Sequence, residues 1–262
     1  MKEFSFFDLK ESDLTIITLT YNSSEYIRRC IDSIKLSCCR VSSVKISHLV
    51  VDGFSKDSTI EIVQKVSPST LVLSRKPSGI YEALNYAVSL VKSPYVMYIH
   101  SDDEIDEYFF VTMFQVILKL NHHENHTLYG TVDFINEKSD ILFSRKPPFF
   151  IPAVQKEVPI IFHPNAIYST ALEKTYPFNL NSGLVADQEH ISEIASKTKF
   201  IRVPDAKYRF RMSTASSTMR NFQSSEKKKI SIFSLPRIYI RLFETKLLER
   251  FIMKLKNQSY WR

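Results

Sequence analysis

The 262-residue sequence has few glycines and few cysteines, and each shortage excludes a class of site. Its four glycines, Gly53, Gly79, Gly130 and Gly183, are far apart, so no glycine-rich loop of the P-loop or dinucleotide-binding kind is present. Three cysteines without CxxC spacing give neither a disulfide framework nor a zinc-binding pattern. If the chain binds a nucleotide, it must hold the phosphates by another device.

Long apolar runs are also missing. No run reaches the roughly 18 apolar residues that are needed to cross a bilayer. The first residues, MKEFSFFDLKESD, carry charges and lack the small-residue cleavage pattern of a secretory signal. We therefore expect a cytoplasmic protein in a reducing compartment.

The positive charge is concentrated at the C-terminal end. Residues 226–262 contain ten Lys or Arg and three Glu, which accounts for the whole formal net charge of +7. Apolar residues at steps of three or four over 235–256 predict an amphipathic basic helix. Such a helix could pack on the rest of the chain, lie on an anionic membrane surface or bind RNA. RNA is the weakest of these, because no nucleic-acid-binding motif accompanies the helix.

The first half of the chain alternates short apolar runs with segments of helical period, which predicts a parallel sheet covered by helices on both faces. Strands are expected at 14–20, 46–51, 70–74 and 95–99, and helices from about residue 25, at 58–66, 80–91 and 106–120. The less regular second half predicts strands at 127–135, 141–144, 160–170 and 199–211, with a helix over 185–196.

All four expected strands of the first half end in polar residues. Ligands bind beyond the carboxyl ends of the strands in such sheets, so these ends mark a candidate site. The ends read Thr20-Tyr21-Asn22, Asp52 to Asp57, Arg75-Lys76-Pro77 and His100-Ser101-Asp102-Asp103.

Asp102 and Asp103 directly follow a buried strand, where two adjacent carboxylates need a positive partner. Mg²⁺ or Mn²⁺ takes one or two carboxylates plus substrate phosphates, so a cation could replace the missing glycine loop. The alternative is that the two carboxylates cap the next helix, which is about equally compatible with the local sequence.

At these residues the chain resembles the family 2 glycosyltransferases of the GT-A fold. The resemblance covers about 90 residues in the family's order and extends more weakly through HPNAIY (163–168) and VADQEHISEI (185–194). The matching segments are LTIITLTYNSSEYIRRCIDSI (14–34), LVVDGFSKDSTIEIV (49–63), KPSGIYEALNYAV (76–88) and YVMYIHSDDEI (95–105). The segment SGIYEALN is similar to one in enzymes that build O-antigen and polysaccharide repeats.

The resemblance implies a role for each candidate residue. Asp102 would contact ribose and metal, and Asp103 would be the first choice as direct metal ligand. Asp187 would be the catalytic base, with Glu189 as the alternative. The other expected nucleotide-sugar-binding residues are Thr20, Tyr21, Asn22, Asp52, Arg75, Lys76, Ser101 and His163.

The chain departs from the family pattern at three places. His100 stands where the family often has Asp, Phe54 replaces a small or polar residue, and Ala186 precedes Asp187 where Glu is commoner. These departures leave ribose contacts and the identity of the base open. Without the resemblance, Asp187 and Glu189 would be interpreted as first-turn helix acids that favour the helix dipole.

We thus expect an α/β protein of GT-A type, with a mostly parallel central sheet, helices on both faces and a C-terminal amphipathic basic helix. Residues 1–225 would form the catalytic domain and 226–262 the basic extension. The resemblance implies an inverting enzyme that needs Mn²⁺ or Mg²⁺ and uses a UDP-sugar donor. A polyprenyl-diphosphate-linked sugar or oligosaccharide would be the acceptor, at the cytoplasmic face of a bacterial inner membrane, in O-antigen, capsule or exopolysaccharide synthesis. The alternatives are another nucleotide-sugar donor, or a sugar-nucleotide-binding or assembly protein without catalysis.

Overall fold

The structure is a computed structural model that describes residues 6–76, 78–120, 125–155 and 161–212. The basic segment 226–262, its expected helix and the domain boundary near residue 225 lie outside the described residues. Strands and helices alternate through the first half. The strands are β1 Leu14–Thr20, β2 Ile46–Asp52, β3 Leu71–Ser74, β4 Tyr95–Tyr98, β5 Glu104–Ile105, β6 His126–Ile135, β7 Ile141–Arg145, β8 Ala166–Ser169 and β9 Lys199–Arg211. The helices are α1 Ile27–Cys38, α2 Thr59–Val66, α3 Ile80–Leu90, α4 Phe109–Ile117, α5 Pro152–Gln155, α6 Thr170–Thr175 and α7 Ala186–Ile194.

The sheet of the described residues has the order β3-β2-β1-β4-β8-β6-β9-β5, with β7 paired to β6. Its first four strands are parallel, as predicted. Beyond β4 the pairing is antiparallel except between β6 and β9, so the sheet is mixed rather than mostly parallel. Parallel neighbours need a crossover of a dozen or more residues, whereas the short connection from β6 to β7 permits only a hairpin.

Both faces of the sheet are covered, because successive strand residues point to opposite sides. In β1, Ile16 packs with α1 and α4 on one face, while Ile17 packs with α3, α6 and α7 on the other. Burial on both faces agrees with the almost continuous burial of β1 and β2, which includes three polar residues in each strand. Within the described residues, no helix is both long and apolar enough to span a membrane.

Candidate active site

The carboxyl ends of the parallel strands lie side by side and form one edge. The amide of Gly53 donates to the carbonyl of Thr20 at 2.9 Å, and the amide of Arg75 donates to the carbonyl of Asp52 at 2.9 Å. These bonds continue the strand register past the last paired residues, Thr20 and Asp52. The polar strand ends singled out in the sequence therefore belong to one region.

Asp103, in the loop between β4 and β5, is buried, and each of its carboxylate oxygens accepts a hydrogen bond from the protein. Its side chain accepts the hydroxyl of Tyr208 at 2.6 Å and the backbone amide of Arg211 at 2.8 Å, one on each carboxylate oxygen. Burial, together with the negative charge of Asp102, raises the pKa of the Asp103 carboxyl well above its usual range. The Asp103 carboxylate is thus enclosed by the fold and bonded to β9.

Asp102 meets the opposite environment. It is half-buried, and no residue in the described part of the chain hydrogen-bonds its carboxylate, although its backbone carbonyl accepts Nε of Arg211 at 2.7 Å. The sequence ranks Asp103 first as metal ligand, whereas this geometry favours Asp102. Of the two adjacent carboxylates, Asp102 is the more accessible one.

Arg211 stabilises the acidic loop, residues 102–104, through hydrogen bonds from its buried guanidinium. Its guanidinium is fully buried, donates to the carbonyl of Asn136 at 2.6 Å and pairs with the carboxylate of Glu104. The guanidinium carbon also lies over the ring of Tyr26, 4.9 Å from the ring centroid. Nothing in the alternating pattern of β9 distinguishes Arg211 from a solvent-facing strand residue, and sequence reasoning missed it together with Tyr208.

Asp187 is the second residue of α7, and its carboxylate accepts two hydrogen bonds. Its carboxylate accepts the backbone amide of Gln188 at 2.8 Å and a hydrogen bond from the hydroxyl of Tyr81 on α3. Burial is the largest influence and raises the pKa of Asp187, while the Tyr81 bond and nearby His100 act in the opposite direction. Tyr81 lies in the SGIYEALN segment, yet it was not among the candidate residues.

Glu189, the alternative base, faces away from these contacts. It is exposed and accepts a hydrogen bond from the hydroxyl of Ser182. Two residues along a helix place side chains on different faces. The geometry therefore separates Glu189 from the surroundings of Asp187.

The pKa of His100 is influenced by both Asp102 and Asp187. Burial lowers the pKa of its imidazole, and the negative charges of Asp102 and Asp187 oppose that shift. The His100 ring therefore lies within electrostatic range of Asp102 and Asp187, which are 85 residues apart in the sequence.

His163 lies behind this site in an aromatic environment. Its ring is 4.3 Å from the ring of Tyr98 by centroids, and its Nε2 has no partner among the described residues. Burial, with the neighbouring His190 and His100, lowers the pKa of His163 well below its usual value. An unpaired buried nitrogen at neutral charge can accept or donate one hydrogen bond to a ligand.

A buried polar network that the sequence did not reveal supports His163. The carboxylate of Glu173 accepts the hydroxyl of Tyr98 at 2.6 Å and lies 2.9 Å from Nε2 of His190. All three side chains are almost completely buried. Because Glu173 and His190 stand on α6 and α7, the network joins these helices to β4.

Three of the expected nucleotide-sugar-binding residues differ in whether their side chains are exposed or already hydrogen-bonded to the protein. Tyr21 is 57% exposed. Asp52 is buried and accepts the amide of Ser55 at 3.0 Å and its hydroxyl at 2.5 Å. Asn22 accepts the amide of Lys56 at 2.8 Å. Asp52 and Asn22 thus shape the loop, and Tyr21 is free to contact a ligand.

The remaining candidates lie along the same edge. Arg75 pairs with Glu82 at 2.8 Å and covers the ring of Tyr86, and its Nη1 has no partner within the described residues. The hydroxyl of Ser101 lies 2.9 Å from that of Ser23. Two candidates show neither a hydrogen bond nor an ion pair from their side chains to described residues: Lys76, which is exposed, and Thr20, which is buried.

The sequence is similar to several curated bacterial proteins over part of its length. It is 30% identical over 96 residues to the chondroitin synthase of Pasteurella multocida (strain Pm70), a match that covers 36% of this chain and 10% of that protein. It is 29% identical over 123 residues to a PGL/p-HBAD biosynthesis glycosyltransferase of Mycobacterium bovis, covering 45% of this chain and 46% of that protein. The matched segment therefore spans less than half of either relative.

The fold is shared with solved structures of low sequence identity. TarS residues 1–349 of S. aureus, in complex with UDP-GlcNAc, match with a TM-score of 0.60 at 21% identity over 78% of this chain and 60% of that one. Glucosyl-3-phosphoglycerate synthase of Mycobacterium tuberculosis matches with a TM-score of 0.52 at 14% identity, over 78% of this chain and 76% of that one. The expected GT-A fold is confirmed.

A family model adds the assignment. The model described as glycosyl transferase family 2 matches residues 15–176, which include β1 to β8 and the acidic loop with Asp102. This segment is more than half of the chain. The chain therefore belongs to glycosyl transferase family 2.

Proposed function

We propose that this chain transfers a hexose or acetamidohexose from a UDP-sugar to an acceptor hydroxyl, with inversion at the anomeric carbon. The observation that carries the proposal is the contrast between two carboxylates that both act on the pKa of His100. Asp102 accepts no side-chain hydrogen bond from the described residues, whereas Asp187 is hydrogen-bonded by Tyr81 and has a raised pKa. Two carboxylates in contrasting environments can take separate roles in one reaction.

Asp102 would hold a divalent cation. Its unpaired carboxylate fits Mn²⁺ or Mg²⁺, which bind through one or two carboxylates and complete their coordination with substrate phosphates. Among the described residues no three His, Cys, Asp or Glu side chains group closely enough to hold a metal, so the donor diphosphate must supply ligands. When bound, the cation supplies positive charge that stabilises the departing diphosphate. The solved glucosyl-3-phosphoglycerate synthase contains Mn²⁺ and UDP, which supports this choice.

Asp187 would act as the general base. Its raised pKa lies closer to neutral pH than that of an ordinary carboxyl, which favours proton acceptance from a sugar hydroxyl. The Tyr81 bond orients the carboxylate, and the acceptor oxygen attacks the anomeric carbon as the diphosphate leaves. One displacement inverts the centre, so an α-linked donor gives a β-glycoside.

The nucleotide would lie along the strand ends. Tyr21 is open to contact the base, and the exposed Lys76 can reach phosphates, with Arg75 next to it after β3. The buried Nε2 of His163 can hydrogen-bond the sugar or its phosphate. TarS is solved with UDP-GlcNAc, which supports a UDP-sugar donor. A mannosyltransferase of Pyrobaculum calidifontis is solved with GDP-Man and Mn²⁺, so another nucleotide-sugar stays the second candidate.

The acceptor we propose is a sugar or oligosaccharide on a polyprenyl diphosphate, in the assembly of bacterial surface polysaccharide. The basic segment 226–262 would bring the enzyme to the anionic cytoplasmic face of the inner membrane. The sequence charge pattern supports this part of the proposal. Removal of residues 226–262 should then release the protein from anionic vesicles, and unchanged vesicle binding would contradict the anchoring role.

A donor panel tests the proposed reaction. Purified full-length protein is incubated with UDP- and GDP-sugars, with and without Mn²⁺, and nucleoside diphosphate release is measured. We expect cation-dependent UDP release by transfer or slow hydrolysis. Binding of a UDP-sugar without turnover on any acceptor would instead support the non-catalytic alternative.

Two isosteric variants on α7 decide which acid is the base. Asp187→Asn removes the proton acceptor and should lower kcat by about 10²- to 10⁴-fold, the range for general base catalysis. Glu189→Gln, a change of the same kind two residues away, should keep kcat within about twofold because Glu189 is exposed and bonded to Ser182. Equal loss in both variants, or loss only in Glu189→Gln, would contradict the assignment.

A further inference from the structure

Phe54 adopts a backbone conformation that its side chain makes costly. Its φ is +61°, in the left-handed region that favours glycine and that bulky residues rarely enter. The residue follows Asp52 and Gly53 at the end of β2, where the family resemblance predicts a small or polar side chain. A glycine or asparagine would adopt this conformation more easily.

Hydrogen bonds from both sides lock this conformation. Ser55, the next residue, donates its amide and hydroxyl to the carboxylate of Asp52. The loop after β1 adds two bonds through Asn22, whose amide donates to the Ser55 hydroxyl at 2.9 Å and whose side chain accepts from Lys56. Strained residues that the surroundings hold in this way are concentrated at ligand-binding sites.

The ring of Phe54 is not buried in the core, so core packing does not offset this strain. It is 54% exposed and belongs to none of the hydrophobic clusters formed by the described residues. Tyr21, which ends the adjacent strand, is 57% exposed. The bond between Gly53 and Thr20 places the backbones of these two aromatic residues beside each other at the edge of the site.

We infer that Phe54 is a second aromatic wall of the nucleobase site, beside Tyr21, and that it contributes to the affinity for the uridine part of the donor. This inference rests on the proposed function. Bases stack favourably on aromatic side chains, and the stacked ring is buried by the ligand rather than by the protein. Stacking of the base on the Phe54 ring would therefore offset the strain of the left-handed backbone when the nucleotide is bound.

Calorimetric titration of UDP in the presence of Mn²⁺, without acceptor, tests the inference. Phe54→Asn, which suits the left-handed backbone, should raise the Kd for UDP about 5- to 20-fold, while the melting temperature stays equal or rises. Phe54→Tyr should restore wild-type affinity, because it returns the ring. Phe149→Ala serves as the matched control: Phe149 is 75% exposed and lies against Arg202 of β9, and its removal should leave the Kd unchanged.

The outcomes separate this inference from the proposed function. Wild-type protein that binds no UDP would overturn both. Wild-type binding with an equally tight Phe54→Asn variant would overturn the role of Phe54 alone. A loss of affinity that Phe54→Tyr fails to restore would likewise contradict stacking, since it would indicate a change in the loop instead of the missing ring.

Discussion

Asp102 and Asp103 are consecutive residues with opposite tasks. Asp103 lies inside, bonded to Tyr208 and the Arg211 amide, while Asp102 stays open at the strand end. A carboxylate saturated by protein donors stabilises its loop, and one without donors can bind a ligand. The proposed choice of Asp102 over Asp103 as metal ligand thus depends on the surroundings of the two carboxylates, since both residues carry one.

Tyr81 is expected to tune the base. Its hydrogen bond to the charged form of Asp187 lowers the pKa of that carboxyl, against the larger effect of burial. In Tyr81→Phe this pKa should rise further, so the acidic limb of the pH–rate profile moves to higher pH. We expect kcat at neutral pH to fall about tenfold, or 1.4 kcal/mol, close to the value of a hydrogen bond to a charged group.

The pH dependence of kcat for wild type and Tyr81→Phe measures this effect. A purely structural role for Tyr81 would lower kcat at every pH by the same factor. An acidic limb at the wild-type position would therefore contradict a hydrogen bond that tunes Asp187.

At this scale the sequence indicated which residues to examine, but not which of their atoms are available. The polar strand ends singled out Asp102, and the family resemblance singled out Asp187. It could not predict that Tyr208 and Arg211, more than 100 residues beyond Asp103, occupy the Asp103 carboxylate. That contact is set by the pairing of β5 with β9, which local periodicity does not encode.

Among the elements, the parallel pairing of β6 with β9 gives the second half of the sheet its shape. The register between these strands shifts after Gly130, where β9 advances from Val203 to Lys207. Asn165 donates to the carbonyl of Gly130 at 2.7 Å and fixes the HPN turn to this irregularity. The turn carries His163, so the shift helps to position a candidate ligand-binding residue.

Gly130→Ala should destabilise this junction. A Cβ at Gly130 would lie 2.2 Å from the backbone carbonyl oxygen of Ala206, and backbone atoms cannot rotate away as a side chain can. We expect the free energy of unfolding, measured by urea denaturation, to fall by about 1–3 kcal/mol. Unchanged stability would show that β9 is farther from Gly130 than the structure places it.

Helices α1 to α4 and α7 were predicted, but the contacts that begin α2 were not. Ser58 and Glu61 match a capping-box pattern, yet the Ser58 side chain makes no capping bond. The carboxylate of Asp57 instead accepts the hydroxyl of Thr59 at 2.5 Å and the amides of Thr59 at 3.1 Å and Ser24 at 3.0 Å. Burial raises the pKa of Asp57, but the side-chain and backbone donors of Thr59 and Ser24 lower it to about 2. The bond to Ser24 joins two loops, a partner that local sequence cannot indicate.

For the whole molecule, the predictable part of the fold is the part built by β-α-β units. The four parallel strands and their helices follow from apolar periodicity. The antiparallel half depends on β8, a four-residue strand inserted between β4 and β6, and on α6, a helix that was not predicted and whose first residue was assigned to a strand. Short elements of this kind take their conformation from their neighbours.

The central claim is that Asp102 holds a divalent cation that bridges to the phosphates of the nucleotide. Calorimetric titration of UDP with and without Mn²⁺ measures this coupling directly in wild type, Asp102→Asn and Asp187→Asn. The account predicts that Mn²⁺ tightens UDP binding in wild type and in Asp187→Asn, and that this gain is lost in folded Asp102→Asn protein. Full Mn²⁺-dependent affinity in Asp102→Asn would contradict it.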